Sequence, residues 1–118
     1  VRVLVRPGRD LAFLQSLGVE IVEGDLRDPA VVGRAVKDAS IVYHCAAKVS
    51  DWGPWRTFEE EAVASTQNIV AACQLAKVGR LLHVSSISVY GHPKLADGET
   101  IREDTPLGQH FWLWDYYP

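Results

Sequence analysis

The sequence contains no methionine and only two cysteines, Cys45 and Cys73. These two do not form a Cys-x-x-Cys pair or a zinc-ligand spacing, so nothing indicates a disulfide scaffold or a zinc module. Both lie among apolar residues, where free cysteine usually behaves as a small buried hydrophobe. We therefore expect two buried thiols in a protein of a reducing compartment, the cytoplasm.

Long apolar runs and an excess of one charge are also missing. The apolar runs are much shorter than the ~18 residues of a membrane-spanning helix, and the opening VRVLVR lacks the order of regions of a signal peptide. A net charge of −3 gives no electrostatic case for nucleic acid or a membrane surface. The four histidines have no metal-ligand spacing. We expect a small-molecule substrate as partner, and no metal, nucleic acid or membrane.

Strand-like and helix-like stretches alternate along the chain. Asp28 followed by Pro29 is a typical helix start, and the apolar run at 40–47 predicts a strand covered on both faces. This alternation predicts parallel βαβ units and a doubly wound α/β sheet. The predicted strands are 1–6, 19–25, 40–47 and 80–86, and the predicted helices are 10–17, 29–39 and 56–77.

The acidic run, the strand histidines and the tryptophans can be explained by structure without a catalytic role. The run Glu59–Glu61 reads as the solvated first turn of the long helix, where acidic residues suit the helix dipole. His44 and His83 fall within predicted strands and are interpreted as core histidines. Trp52 and Trp55 either shape a lid over a site or simply pack their own loop, and the sequence does not choose between these alternatives.

Small and polar residues follow the predicted strands. In a doubly wound sheet, ligands bind beyond the carboxyl ends of the strands. Such residues would let a flat cofactor approach the backbone closely. The four strand ends are Arg6-Pro7-Gly8, Gly24-Asp25-Leu26, His44-Cys45-Ala46-Ala47 and Ser85-Ser86.

Six segments in this order resemble the extended short-chain dehydrogenase/reductase family, in its epimerase/dehydratase and 3β-hydroxysteroid dehydrogenase branch. Together they cover almost all of the 118 residues. The resemblance implies a Rossmann-type sheet and an NAD(P)-dependent oxidoreductase. Hydride would pass between the nicotinamide and an oxygen-bearing carbon of a sterol-like or nucleotide-sugar substrate. The segments are VRVLVRPG, VEIVEGDLRDP, VYHCAAKVSDWGPW, TQNIVAAC, LLHVSSISVYG and EDTPLG.

The resemblance also implies two catalytic residues. Ser86 matches the family's catalytic serine or threonine, which hydrogen-bonds the substrate oxygen. Tyr117 matches the tyrosine of the Y-x-x-x-K motif, the general acid/base, with Tyr116 as its rival for that position. A free tyrosine has a pKa near ~10, so a nearby lysine and the cofactor's positive ring would have to lower it.

Cofactor contacts follow from the same resemblance. Asp25 and Leu26 match the pair that contacts adenine, and Ala46 and Ala47 match the small residues along the cofactor. Arg6 stands where NAD-preferring members often carry an acidic residue. A guanidinium there suits a 2′-phosphate, so we expect NADP in preference to NAD. The alternative is that Arg6 is a solvated strand-end charge.

Three departures from the family pattern bear on function. No three of the nine glycines have the G-x-x-G-x-x-G spacing that holds a pyrophosphate, and the motif lysine would lie beyond Pro118. Ala62 stands where the family usually has asparagine. This last change favours an alternative hypothesis, a catalytically silent dinucleotide-sensing or scaffold protein on the same fold.

We therefore expect residues 1–118 to be a partial NAD(P)-binding Rossmann domain from a larger, homodimeric enzyme. The first strand with its glycine-rich loop and the C-terminal substrate region would be absent. In the strand order 3-2-1-4-5-6, the first strand is central. We expect a gap between the strands at 1–6 and 40–47, or their direct pairing, and a fragment that is poorly stable, inactive and weak in dinucleotide binding.

Overall fold

The structure is a computed structural model that describes residues 1–50, 52–91 and 97–108. The chain divides into two compact units, Val1–His83 and Val84–Pro118. The second unit has a short 3-10 helix, Ile87–Tyr90. The first unit contains, in chain order, β1 (Arg2–Val5), α1 (Ala12–Ser16), β2 (Glu20–Glu23), α2 (Pro29–Val36), β3 (Ile41–His44), α3 (Trp55–Phe58), a π-helical segment (Glu59–Ala64), α4 (Ser65–Leu75) and β4 (Arg80–His83).

The strands form two parallel pairs. β1 pairs with β2, with Val3 opposite Ile21, and β3 pairs with β4, with Val42 opposite Leu81. This confirms the predicted α/β fold with parallel, Rossmann-type strand connections. Of the two arrangements expected for residues 1–6 and 40–47, the structure has the gap, because β1 and β3 belong to separate two-stranded sheets.

A cavity of about 710 Å³ lies in this gap. Residues of β1 and β3 line it, and the α2 and α4 side chains Val32 and Ile69 contribute to its wall. The inner edges of the two strand pairs therefore face an open, largely apolar space. No helix in the described part of the chain is long and apolar enough to cross a membrane.

Helix α2 begins where the sequence predicts. The Asp28 carboxylate accepts hydrogen bonds from the backbone N–H groups of Ala30 and Val31, at 2.9 and 3.4 Å. Pro29 occupies the first helical position, where the N–H that proline lacks has no partner within the helix. The cap satisfies two of the free N–H groups at the helix start.

The hydrophobic core lies between α2 and α4. Val32 and Val36 of α2 pack with Ile69 and Cys73 of α4. Partly buried residues of the β3–β4 pair and of the adjoining loops extend this cluster. Apolar burial between α2 and α4 therefore holds the two strand pairs together.

Two predictions about burial are wrong. Residues 40–47 are not covered on both faces, because Ile41 and Tyr43 are exposed while Val42 packs on the core. Side chains alternate along a strand, and α2 and α4 cover only the face that Val42 shares. Cys73 is buried as expected, but Cys45 is exposed just beyond the end of β3.

The long helix predicted at 56–77 is interrupted. The π-helical segment Glu59–Ala64 separates α3 from α4, and the Ser65 hydroxyl donates to the Glu60 carbonyl at 3.2 Å. The run Glu59–Glu61 therefore lies inside the helical stretch, so its assignment to a solvated first turn is wrong. Single π turns within helices occur frequently at functional sites.

Two glycines near each other in the chain give a matched test of this packing. A Cβ added at Gly24 would lie 2.8 Å from Val31 Cγ2 and closer still to Cγ1, whereas one at Gly33 in α2 would meet nothing within 4 Å. We expect Gly24→Ala to lower the free energy of unfolding by about 1–3 kcal/mol through overpacking. Gly33→Ala should raise it by up to about 1 kcal/mol through helix propensity. Urea unfolding measures both, and equal effects would contradict the packing described.

Candidate functional site

Charged side chains meet at the carboxyl ends of the strands in the first unit. Arg6 follows β1, Asp25 follows β2, Lys48 lies beyond β3, and Glu61 comes from the π-helical segment. The Arg6 guanidinium lies 3.5 Å from an Asp25 oxygen and 3.4 Å from Glu61 Oε2. Lys48 Nζ lies 3.4 Å from the same Glu61 oxygen. With Arg27, which binds Asp25, these residues form what we call the strand-end network.

Asp25 anchors two arginines of the network. Arg27 donates to both carboxylate oxygens at 3.0 Å, and its backbone N–H donates to Oδ1 at 2.8 Å. These side-chain and backbone hydrogen bonds from Arg27, together with the charge of Arg6, lower the pKa of Asp25 to about 2. Asp25 is therefore a carboxylate at any physiological pH, and it keeps Arg6 directed towards the sheet edge.

Glu61 is the most enclosed carboxylate of the network, with a side chain only 16% exposed. Burial alone would raise its pKa, but the hydrogen bonds and charges of Lys48 and Arg6 outweigh burial and lower the pKa. The sequence interpretation missed both Glu61 and Lys48. Lys48 could have been found as a basic residue just after a strand end, whereas no local signal separates Glu61 from its two acidic neighbours.

Of the predicted adenine-contacting pair, Asp25 belongs to the strand-end network and Leu26 follows it in the chain. Leu26 is half-buried against the core, and its carbonyl accepts a 2.9 Å hydrogen bond from the Asn68 amide of α4. This bond fixes the corner after β2 against α4, a positioning role for Asn68 that the sequence interpretation missed. Ala46 and Ala47, which follow β3, are both exposed, as small residues alongside a flat ligand would have to be.

Ser86 lies in the second unit and caps the 3-10 helix Ile87–Tyr90. Its hydroxyl oxygen accepts from the Ser88 N–H at 3.2 Å and lies 3.1 Å from Ser88 Oγ. Tyr116 and Tyr117 lie outside the described residues. The assignment of Ser86 and Tyr117 as a catalytic pair therefore stays a prediction.

The histidine prediction is confirmed for one of its two residues. His44 is 4% exposed and its Nε2 lies 3.0 Å from Thr66 Oγ1, whereas His83 is exposed. Their rings are 4.9 Å apart. Among residues 1–50, 52–91 and 97–108, no three potential ligands of the His, Cys, Asp or Glu type are placed to hold a metal ion.

The tryptophan loop has one strongly exposed ring. Trp52 is 89% exposed and Trp55 is about half exposed. Packing of the loop does not bury Trp52, so this structure gives no support to the simple packing alternative for that residue. A lid role stays a prediction.

Comparison with known protein families shows which family the chain belongs to. Residues 1–110 match the family described as NAD(P)H-binding. The chain belongs to the NAD(P)H-binding family. Within this family the expected resemblance to the extended short-chain dehydrogenase/reductases is also confirmed, because similar proteins include dehydratases, epimerases and a 3β-hydroxysteroid dehydrogenase.

Three similar proteins illustrate the range of the family. A 2-alkyl-3-oxoalkanoate reductase of Stenotrophomonas maltophilia is 36% identical over 83% of this chain and 30% of its own length. The 3β-hydroxysteroid-dehydrogenase/decarboxylase isoform 2 of Arabidopsis thaliana is 37% identical over 64% of this chain and 14% of its own length. The dTDP-glucose 4,6-dehydratase DesIV of Streptomyces venezuelae, solved with NAD and TYD bound, superposes with a TM-score of 0.72. DesIV is 28% identical, and the match covers 92% of this chain and 35% of that protein. The chain thus spans about a third or less of each.

Buried His44 should make the stability of this NAD(P)H-binding unit depend on pH. Burial, then repulsion by His83, lowers the pKa of His44, so the unfolded state binds its proton more tightly. The resulting stability is complete above the unfolded pKa of about 6.5 and is lost as the pH falls below it. Urea unfolding at pH 7.5, 6.5 and 5.5 should show this decline in the wild type and in His83→Gln. In His44→Gln the decline should be smaller, and an unchanged decline would show that other groups cause it.

Proposed function

We propose that this chain provides the adenosine side of the cofactor site in an NAD(P)-dependent oxidoreductase of the extended short-chain type. The observation that supports it is the strand-end network. Arg6, 45% exposed, and Lys48 bring two cations to the carboxyl edge of β1 and β3, the edge at which ligands of doubly wound sheets bind.

The residues at this edge fit a phosphorylated adenosine ribose. A guanidinium can donate paired, charge-assisted hydrogen bonds to a phosphate, and Lys48 adds a second positive charge nearby. We propose NADP as the preferred cofactor, with Arg6 on its 2′-phosphate, Asp25 and Leu26 near the adenine, and Ala46 and Ala47 along its length. The 118 residues contain no G-x-x-G-x-x-G motif, so no residue is assigned to the pyrophosphate.

The proposed reaction interconverts a carbonyl and a hydroxyl group. When bound, the nicotinamide supplies or accepts the hydride. Ser86 would donate its hydroxyl proton to the substrate oxygen in a hydrogen bond, and Tyr117 would transfer the proton. A hydroxyl has one donor and two acceptor positions. The Ser86 oxygen can therefore keep accepting from the Ser88 N–H while its own proton turns from Ser88 Oγ to a substrate.

The substrate classes proposed are a sterol-like alcohol or a nucleotide sugar. The similar proteins carry both kinds of name, a 3β-hydroxysteroid dehydrogenase/decarboxylase and a dTDP-glucose dehydratase. The 2-alkyl-3-oxoalkanoate reductase adds a keto acid as a third class. The proposed reaction requires of any such substrate a carbon that is converted between hydroxyl and carbonyl.

A non-catalytic dinucleotide sensor is the second candidate. Ala62 favours it, because the family usually has asparagine at this position and alanine has no polar side chain for a proton relay or a helix bulge. The π-helical segment Glu59–Ala64 includes this residue. A helix bulge is thus present without the asparagine. The loss of the asparagine side chain therefore affects the proton relay and not the backbone conformation.

Calorimetry on the full-length protein, with NADP and NAD in parallel, tests the cofactor assignment. We expect Arg6→Gln to weaken NADP binding by more than about tenfold, since a charge-assisted contact is worth roughly 1.5–3 kcal/mol, and to change NAD binding little. Arg56→Gln is the matched control, because Arg56 is also ion-paired but 86% exposed on the helix. Equal losses in the two variants would contradict a role for Arg6 on the 2′-phosphate.

Substitution of the two adjacent serines tests the catalytic assignment. We expect Ser86→Ala to lower kcat by about a hundredfold or more, in the range of a lost acid–base contribution, with dinucleotide affinity unchanged. Ser85→Ala should change kcat only slightly, and Ser86→Thr should restore activity because it keeps the hydroxyl. Similar losses in Ser85→Ala and Ser86→Ala would contradict the assignment. Dinucleotide binding without turnover in the wild type would favour the sensor.

A further inference from the structure

One carboxylate holds both cations of the proposed phosphate site. Glu61 Oε2 lies 3.4 Å from Arg6 Nη2 and 3.4 Å from Lys48 Nζ. The Glu61 side chain is largely enclosed, and the Lys48 side chain is three-quarters covered. Glu61 thus occupies the position between the two cations, where an anionic ligand would have to lie to contact both.

The neighbouring acid behaves differently. Glu60 Oε1 pairs at 2.8 Å with Arg56, whose side chain is 86% exposed. Glu60 and Glu61 therefore make separate contacts, Glu60 with the helix surface and Glu61 with the strand ends. Adjacent residues of a helix do not face the same way, so Glu60 and Glu61 reach different partners.

We propose that Glu61 is a specificity-determining residue that competes with the 2′-phosphate of NADP for Arg6 and Lys48. This inference rests on the proposed cofactor site. It adds a residue that opposes the preference for NADP that Arg6 creates. NADP must displace the Glu61 carboxylate from the two cations, whereas NAD, which lacks the 2′-phosphate, need not. Glu61 therefore lowers the preference for NADP that Arg6 creates and lets the protein use both dinucleotides.

The charges of the network support this competition. Within the network, Arg6 and Arg27 pair with Asp25, and Arg6 and Lys48 pair with Glu61. Asp25 is engaged on both oxygens by Arg27, so it stays in place when a ligand arrives. A phosphate close to Glu61 would meet like-charge repulsion, which is stronger at a partly covered site than in bulk water.

The test compares Glu61→Gln with Glu60→Gln in the full-length protein. NADPH and NADH are titrated separately, and cofactor fluorescence gives both affinities. Glu61→Gln should raise the ratio of NADPH to NADH affinity by roughly tenfold, the effect of about 1.4 kcal/mol of relieved repulsion. Glu60→Gln should leave the ratio within about twofold, because its carboxylate pairs with Arg56. A merely structural role of Glu61 would change both affinities together and leave the ratio constant.

A double variant separates competition from general electrostatics. In an Arg6→Gln background, Glu61→Gln should change the ratio much less than in the wild type, since the contested guanidinium is gone. If wild type binds both dinucleotides and Glu61→Gln leaves the ratio unchanged, the competition is refuted and the cofactor site stands. If the wild type binds neither, the proposed function fails, and the role of Glu61 fails with it.

Discussion

The packing of α2 against α4 is the interaction on which the first unit depends. The two strand pairs belong to separate sheets, so backbone hydrogen bonds between β1 and β3 do not join them. Val32 and Val36 of one helix and Ile69 of the other are buried together. Full burial of one such side chain contributes about 1.5–3 kcal/mol. This apolar contact therefore determines how the β1–β2 pair is placed relative to β3–β4.

The strand-end network follows from that packing and does not create it. Arg6 and Asp25 come from the β1–β2 side, whereas Lys48 and Glu61 come from the β3 and α4 side. Partly exposed ion pairs of this kind are worth about 0–1 kcal/mol each, less than the burial of one core side chain. Within the network the Arg6–Glu61 ion pair links the two sides, so the network adds little to what holds the halves together. The proposed cofactor site would give these five charged groups at one sheet edge a role other than stability.

Local signals in the sequence predict the local structure well. Asp28 and Pro29 specify the start of α2, because a capping carboxylate and a proline at the first helical position act within one turn. The residues after each strand are likewise recognisable from the chain alone, and Arg6 and Asp25 do lie together at the sheet edge. The α/β class with parallel strands follows from the same alternation of short elements.

Non-local contacts are the part that the sequence interpretation could not supply. The partners of Glu61 are 55 and 13 residues away along the chain, and a π-helical segment has no dependable sequence signature. Cys45 appears apolar in context but lies just beyond the covered part of β3, so it is exposed. The expected burial of Ile41 and Tyr43 fails for a different reason, because apolar composition does not reveal which face of a strand a helix covers.

The ionisation of the network also limits how it can discriminate between ligands. The pKa of Asp25 is about 2 and that of Glu61 is lowered, so both stay ionised throughout the physiological range. Protonation is thus not available as a means of releasing Arg6 and Lys48. A ligand gains access to these cations only by offering a stronger anion than the carboxylate it replaces. A phosphate carrying up to two negative charges meets that condition, and a ribose hydroxyl does not. Under the proposed assignment, selectivity at this edge is anion exchange, in which Asp25 holds Arg6 in place while Glu61 is the partner exchanged.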